Sequence, residues 1–232
     1  MRDAAPAHDA ATALSCSAYH PPDSLRRVTA RVVLLAGPSG SGKTSLTRRV
    51  GLPVLALDDF YRDIEDEADD VRTDPPLPRR FGIVDWDDPA SWDTAAAAAT
   101  VVQLCREGAA DVPVYDIPTS RRTGTHRLDL GGATLFVAEG IFAAELVPAL
   151  RALPDGDQLL ADALCLTLHP AVTFGRRLLR DLAESRKPPL TLVRRGLGLA
   201  RGERALVQRW TALGCRPCSI PEAEARLRSL LT

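Results

Sequence analysis

The chain contains no asparagine among its 232 residues and only two lysines, Lys43 and Lys187. The first absence removes two large nucleotide-using classes. Regulatory GTPases read guanine with an N-K-x-D motif, and protein kinases hold a metal with a catalytic-loop Asn. Neither can be built here. The scarcity of lysine makes Lys43 conspicuous, since every other strongly basic residue except Lys187 is Arg. No L-S-G-G-Q-like run of a transport ATPase occurs. A net charge of -1 gives no bulk field for nucleic acid or a membrane surface. No apolar run approaches the ~18 residues a membrane span needs, and the first residues lack the basic-then-apolar pattern of a signal peptide. The expectation is a cytoplasmic protein with no membrane and no nucleic-acid partner. The five cysteines (16, 105, 165, 215 and 218) lack regular spacing, which argues against a disulfide framework. Cys215 and Cys218 form a CxxC, but no second CxxC or HxxxH completes a zinc set. A redox pair and a pair of buried thiols both fit.

Hydrophobic residues at 45% and charged residues at 25% fit one globular domain. Residues 1–27, rich in Ala, Pro, Asp and Ser without periodicity, read as a poorly ordered leader. Residues 28–232 read as a single domain. Within it, continuous apolar runs alternate with helical patterns. "RVVLLAG" at Arg31–Gly37, "PVLAL" at Pro53–Leu57, "ATLFVAEG" at Ala133–Gly140 and "ALCLTL" at Ala163–Leu168 read as strands, with "VPVYD" at Val112–Asp116 as a short one. A helix is expected from near Gly42, with Leu46 and Val50 inward. Another is expected after Asp88 as N-cap, ending before Gly108. Pro170–Glu184 reads as an amphipathic helix with Arg176, Arg177 and Arg180 on its outer side. Ser219 with Glu222 forms a capping box for a last helix. Strands alternating with helices predict an α/β fold with a mostly parallel sheet.

The strongest motif is "GPSGSGKT", Gly37 to Thr44, which fits G-x-x-x-x-G-K-[ST] in full. It follows a predicted strand and opens a predicted helix, the context that gives the motif meaning. Glycines let backbone N–H groups turn inward around phosphate oxygens. The helix N-terminus adds positive potential. The candidate nucleotide site is therefore Gly37, Pro38, Ser39, Gly40, Ser41, Gly42, Lys43, Thr44 and Ser45. Lys43 would reach the phosphates and Thr44 would hold Mg²⁺. The fold class that follows is a three-layer P-loop NTP hydrolase-type sandwich, with a five-stranded sheet, flanking helices and a helical lid near 176–190.

Ligands in open parallel sheets bind at the carboxyl ends of strands. Beyond the phosphate loop, two such ends carry acids: Asp58 in "VLALDDFYRD" and Glu139 in "LFVAEG". Transfer to an alcohol needs a carboxylate near the attacking oxygen and acidic groups near Mg²⁺. Asp58 and Glu139 suit those two tasks. Each could instead cap a following turn, and Asp59 is as good a cap as Asp58.

The ordered set "GPSGSGKTS", "LDDFYRD", "VDWDDPASWD", "VPVYDIPTSRR", "LFVAEGIF" and "RRLLRDLAES" resembles the uridine kinase and phosphoribulokinase family of P-loop kinases. The resemblance covers roughly Arg31 to Lys187. It implies ATP and Mg²⁺ as cofactors and a small, nucleoside-like alcohol as substrate. Asp58 would be the general base on a sugar 5′-hydroxyl. Tyr61 would line the nucleoside site, Asp87 would hold ribose hydroxyls and Tyr115 would stack near the base. Glu139 would act on Mg²⁺ through water, and Arg177 and Arg180 of the lid would neutralise the transferring group. Without the resemblance those arginines read as a solvated helix face. The chain departs from the family where a base-reading His is expected: Ser120 stands there, and Ile117 replaces an aromatic. In the lid, Ser185 replaces an Arg and Lys187 takes another's place. Other small-alcohol acceptors (nicotinamide riboside, pantothenate, a sugar phosphate), a non-catalytic nucleotide-binding regulator, and a homo-oligomeric assembly are compatible with this pattern. The acidic segment 62–76 is a candidate for closing over substrate.

Overall fold

The computed structural model describes residues 28–38, 40–64, 76–80, 82–167 and 204–232. The leader, Ser39, most of the acidic segment, Arg177, Arg180 and the expected lid lie outside the described residues. Five strands form the central sheet: β1 (Arg31–Ala36), β2 (Val54–Ala56), β7 (Leu135–Gly140), β8 (Leu160–Leu166) and β9 (Arg216–Cys218). Their spatial order is β2-β7-β1-β8-β9, and every pairing is parallel. β1 is fully buried after Arg31 because the sheet is covered on both faces. The period-2 alternation of a strand splits its residues between two layers. Val33 and Leu35 pack with Leu46 of α1 (Lys43–Val50) and Leu227 of the C-terminal helix Ile220–Ser229. Val32, Leu34 and Ala36 pack with Val101 and Leu104 of α2 (Thr94–Glu107) and with Leu146 and Leu150 of α3 (Leu146–Arg151). The three-layer α/β expectation therefore holds.

Three expectations are corrected in detail. "VPVYD" is not in the central sheet: it belongs to β5 (Ala109–Asp116), which pairs antiparallel with β6 (Arg121–Asp129). Its burial explains why, since Ala110 and Val112 are buried while Asp111 between them is exposed, as suits a strand covered on one face. The fifth central strand is β9, a three-residue edge strand containing Pro217, which an edge position tolerates. Asp88 caps only the 3₁₀ turn Pro89–Ser91, its side chain accepting from the Ala90 N–H. The α-helix starts later, where Asp93 accepts from the Ala96 N–H. Between them Trp92 turns inward, and its indole N–H donates to the Leu57 carbonyl at 2.7 Å. That buried contact outweighs a continuous helix. Gly108 ends α2 with φ 74, as expected of a C-cap glycine.

Cys215 and Cys218 are buried, and burial pushes their thiols up to about 12 and about 11. At neutral pH they are protonated thiols packed beside Cys165, not a reactive pair. Among the described residues, no group of three or more His, Cys, Asp or Glu is placed to hold a metal, and no helix is long and apolar enough to cross a membrane.

Candidate active site

Strand register assembles the site. β7 runs between β1 and β2, and Glu139 is paired with Leu35 on one side and Ala56 on the other. The carboxyl ends of all three strands thus meet at one edge. From β1 the chain enters the phosphate loop; from β2 it enters a 3₁₀ turn, Leu57–Phe60, carrying Asp58 and Asp59. Asp58 and Glu139, far apart in sequence, thereby become neighbours at that edge, as expected of strand ends in a parallel sheet.

The loop has the backbone its glycines allow. Gly40 and Gly42 have φ 81 and 93, in the left-handed region that favours glycine. Gly42 is the N-cap of α1, and no side chain caps the helix there. At Gly37 a Cβ would lie 2.8 Å from Ser41 Oγ, so a larger residue there makes that hydroxyl shift. Lys43 Nζ donates to the Gly37 carbonyl at 2.8 Å and the Pro38 carbonyl at 3.3 Å, which folds it back over its own loop. Thr44 Oγ1 donates to Glu139 Oε1 at 2.8 Å. Glu139 Oε2 and Ser41 Oγ are buried atoms with no hydrogen-bond partner among the described residues. A buried polar atom without a partner costs stability, and a ligand in the loop offers one. Burial raises the Glu139 carboxyl above its ordinary range; the Thr44 hydrogen bond and Lys43 oppose this, and the nearby Asp58 carboxylate adds to it.

Asp58 and Asp59 part ways in the 3₁₀ turn. Asp58 is exposed at the strand edge, and its Oδ1 lies 3.3 Å from where a Cβ on Gly140 would be. Asp59 points the other way, and its Oδ1 accepts from the Tyr115 N–H at 3.2 Å. Burial raises its carboxyl, partly offset by that hydrogen bond. Asp59 thus fastens the turn to β5, and Asp58 faces the phosphate loop's edge of the sheet.

Three residues after Asp58, Tyr61 enters a cluster of aromatic rings, the aromatic wall. The Tyr61 ring is 5.7 Å from Trp86 and from Tyr115, and 5.9 Å from Phe142. Trp86 and Tyr115 are 6.5 Å apart. These are the edge-to-face and tilted distances at which aromatic rings attract. The Tyr61 hydroxyl donates to the Trp86 carbonyl and the Tyr115 hydroxyl to the Arg62 carbonyl, both at 3.2 Å. Burial pushes the Tyr115 hydroxyl up to about 12, so it remains a donor across neutral pH. Asp87 is exposed next to Trp86, its N–H donating to Asp85 Oδ1. Ser120 occupies the β5–β6 turn with φ 54, a left-handed conformation unusual for a residue other than glycine. Its hydroxyl donates to the Ile117 carbonyl at 3.4 Å.

The structure therefore brings Lys43, Thr44, Glu139 and Asp58 to one edge, and sets Tyr61 and Tyr115 in one cluster. Trp86 and Phe142 complete that cluster and were not anticipated. Trp86 had a signal, lying directly before Asp87 in "VDWDD"; Phe142, in "EGIF", looked like ordinary helix core.

No family model matches the chain. It is 33% identical over 181 residues to a uridine kinase of Deinococcus deserti, covering 73% of this chain and 77% of that one. It is 31% identical over 172 residues to a uridine kinase of Schizosaccharomyces pombe, covering 71% of this chain but 34% of that longer protein. A solved structure from a Silicibacter species, described as a fructose transport system kinase, superposes with a TM-score of 0.56 at 20% identity. It covers 84% of this chain and 89% of that one, and it bears on the fold alone. Kinases of the uridine kinase family use ATP and Mg²⁺. The relation to the Deinococcus protein, added to the motif order and the parallel sheet, settles the family: the chain belongs to the uridine kinase family of P-loop kinases and is a phosphotransferase with an alcohol group as acceptor.

Proposed function

We propose that the protein transfers the γ-phosphoryl group of ATP to the 5′-hydroxyl of a nucleoside or nucleoside-like riboside. What supports this reading is that Asp58 lies beside Gly140 and Glu139 at the phosphate loop's edge of the sheet, and that Tyr61, three residues on in the same segment, sits in a ring cluster with Trp86 and Tyr115. A hydroxyl held there has a carboxylate to accept its proton and an apolar, π-rich surface for the rest of the acceptor.

Each residue then has a task. Lys43 exchanges its two loop carbonyls for phosphate oxygens. The loop N–H groups, with the Ser41 hydroxyl beside them, supply fixed dipoles to the phosphates, which need no reorganisation during transfer. Thr44 and Glu139 are the side chains that would hold Mg²⁺: a hydroxyl and an anionic carboxylate with one unpartnered oxygen suit a hard cation. Held by these two side chains, such an ion would supply neutralisation of phosphate charge. Asp58 takes the proton from the attacking hydroxyl as the bond to phosphorus forms and the bond to ADP breaks. Tyr61 and Tyr115 hold the acceptor, and Asp87 pairs with its ribose hydroxyls. Arg177 and Arg180 are assigned to the transferring group by the family resemblance alone.

Ser120 favours a second reading, in which the acceptor is a different small alcohol. Its hydroxyl serves the turn, so the position offers no imidazole to a base. An ADP-release assay over nucleosides, nicotinamide riboside, pantothenate and sugar phosphates distinguishes the two. Uridine or cytidine as the best acceptor supports the first; a sugar phosphate or pantothenate as the best supports the second. ATP binding without turnover of any acceptor would point to a regulator.

A further inference from the structure

The segment following Asp58 is held from two sides. On one side, the Arg62 N–H donates to the Ser91 carbonyl and the Asp93 N–H to the Phe60 carbonyl, both at 2.9 Å. On the other side stands the β5–β6 hairpin, whose Ser120 carbonyl accepts from the Ile64 N–H at 2.9 Å. Arg122 is the one described residue whose own hydrogen bonds reach the segment at two points and the start of α2 as well. Its backbone N–H donates to Asp63 Oδ1 at 2.6 Å, and its Nε donates to the Tyr61 carbonyl at 3.3 Å. Its Nη2 pairs with Asp93 Oδ2 at 3.2 Å. The other Asp93 oxygen caps α2 through the Ala96 N–H at 2.9 Å. One carboxylate is therefore shared between a helix cap and a hairpin arginine.

An ion pair whose partners are each 34% exposed contributes little by itself. What distinguishes Arg122 is convergence. A planar guanidinium presents several donors in a fixed fork, so it can serve a carbonyl and a carboxylate at once. Tyr61 is the ring touched by Trp86, Tyr115 and Phe142, so the backbone carbonyl that Arg122 holds belongs to the centre of the aromatic wall.

We propose that Arg122 is a positioning residue for the acceptor: it fixes residues 61–63, and with them the Tyr61 ring, between the β5–β6 hairpin and the cap of α2. This rests on the acceptor side proposed above. It concerns how the wall is held, and Arg122 itself need not touch the acceptor.

The test compares the full-length wild type with Arg122→Ala and Arg122→Lys. With uridine as the probe acceptor, Arg122→Ala should raise the acceptor KM about tenfold, as loss of two modest hydrogen bonds would. The KM for ATP should not change. Arg122→Lys should recover part of the loss, because an ammonium replaces one arm of the fork but not both. Amide hydrogen exchange adds a readout that needs no acceptor. Arg62 and Ile64 should exchange faster in Arg122→Ala, while β1 and α1 keep their protection. If the wild type turns over no nucleoside, the proposed function fails, and the exchange data still decide the role of Arg122. Unchanged exchange at Arg62 and Ile64 would overturn the proposal. So would a uniform rise across the molecule, or equal rises in both KM values.

Discussion

The phosphate half of the site and the acceptor half are built by different means. The phosphate half is nearly contiguous: Gly37 to Ser45 supply backbone amides, Lys43 and Thr44, and a single distant residue, Glu139, joins them. Its conformation comes from glycine backbone and a helix start, both local properties. The acceptor half draws on four separated stretches, around Asp58–Ile64, Trp86, Asp93 and Tyr115–Arg122, joined by side chains. Local geometry tolerates little change in residue type. An assembly of side chains can be re-tuned one contact at a time. On the proposed function, the phosphate half would set the reaction and the acceptor half the choice of substrate.

Substitutions can break this contrast from either side. The largest expected effect is Lys43→Ala. Removing the only lysine of the loop should lower kcat/KM by about 10³-fold, the scale on which a preorganised charge acts at a developing anion. Steady-state kinetics with ATP and the best acceptor checks it, and the aromatic wall should keep its near-ultraviolet dichroism. Next is Gly140→Ala, which probes the seam between the halves. The new Cβ would meet Leu57 Cβ at 2.8 Å and Asp58 Oδ1 at 3.3 Å, so the turn carrying Asp58 must shift. Turnover should fall on the order of 10- to 100-fold, as misplacement of a reacting group does. ATP affinity, measured by calorimetry, should hold.

The smallest effect concerns stability. Burial raises the Glu139 carboxyl, so the folded state binds its proton more tightly than the unfolded chain does. Stability is then lost as pH rises from the ordinary carboxylate range through the folded-state value. In metal-free buffer at pH 7, Glu139→Gln should raise Tm by about 2 to 4 °C, the shift worth ~1 kcal/mol in a chain of this size. The gain should close as pH falls towards 4. The same variant should weaken Mg²⁺-dependent turnover, which separates its two roles.

Much of this was legible in the sequence, and what was not has physical reasons. Continuous apolar runs marked β1, β2, β7 and β8, because strands buried on both faces cannot hide their composition. β9 escaped because "RPC" is three residues long at a sheet edge, where one arginine is solvated and a proline is tolerated. β5 was recognised as a strand but placed in the wrong sheet, since one buried face does not say which partner covers it. Asp88 carried the signal of a helix cap, yet the indole of Trp92 ended that turn after one round. Within the site, residue type alone left Asp59 as good a cap as Asp58 and the resemblance assigned the base to Asp58; the Tyr115 N–H then engages Asp59.

The central claim is that Asp58 is the base on the acceptor hydroxyl, and Asp58→Asn tests it most directly. Acceptor-dependent ADP release and ATP affinity would be measured on the same preparation. The account predicts a fall in kcat of about 10² to 10⁴-fold, the usual contribution of a general base, with ATP affinity preserved. Turnover equal to the wild type in that variant would contradict it.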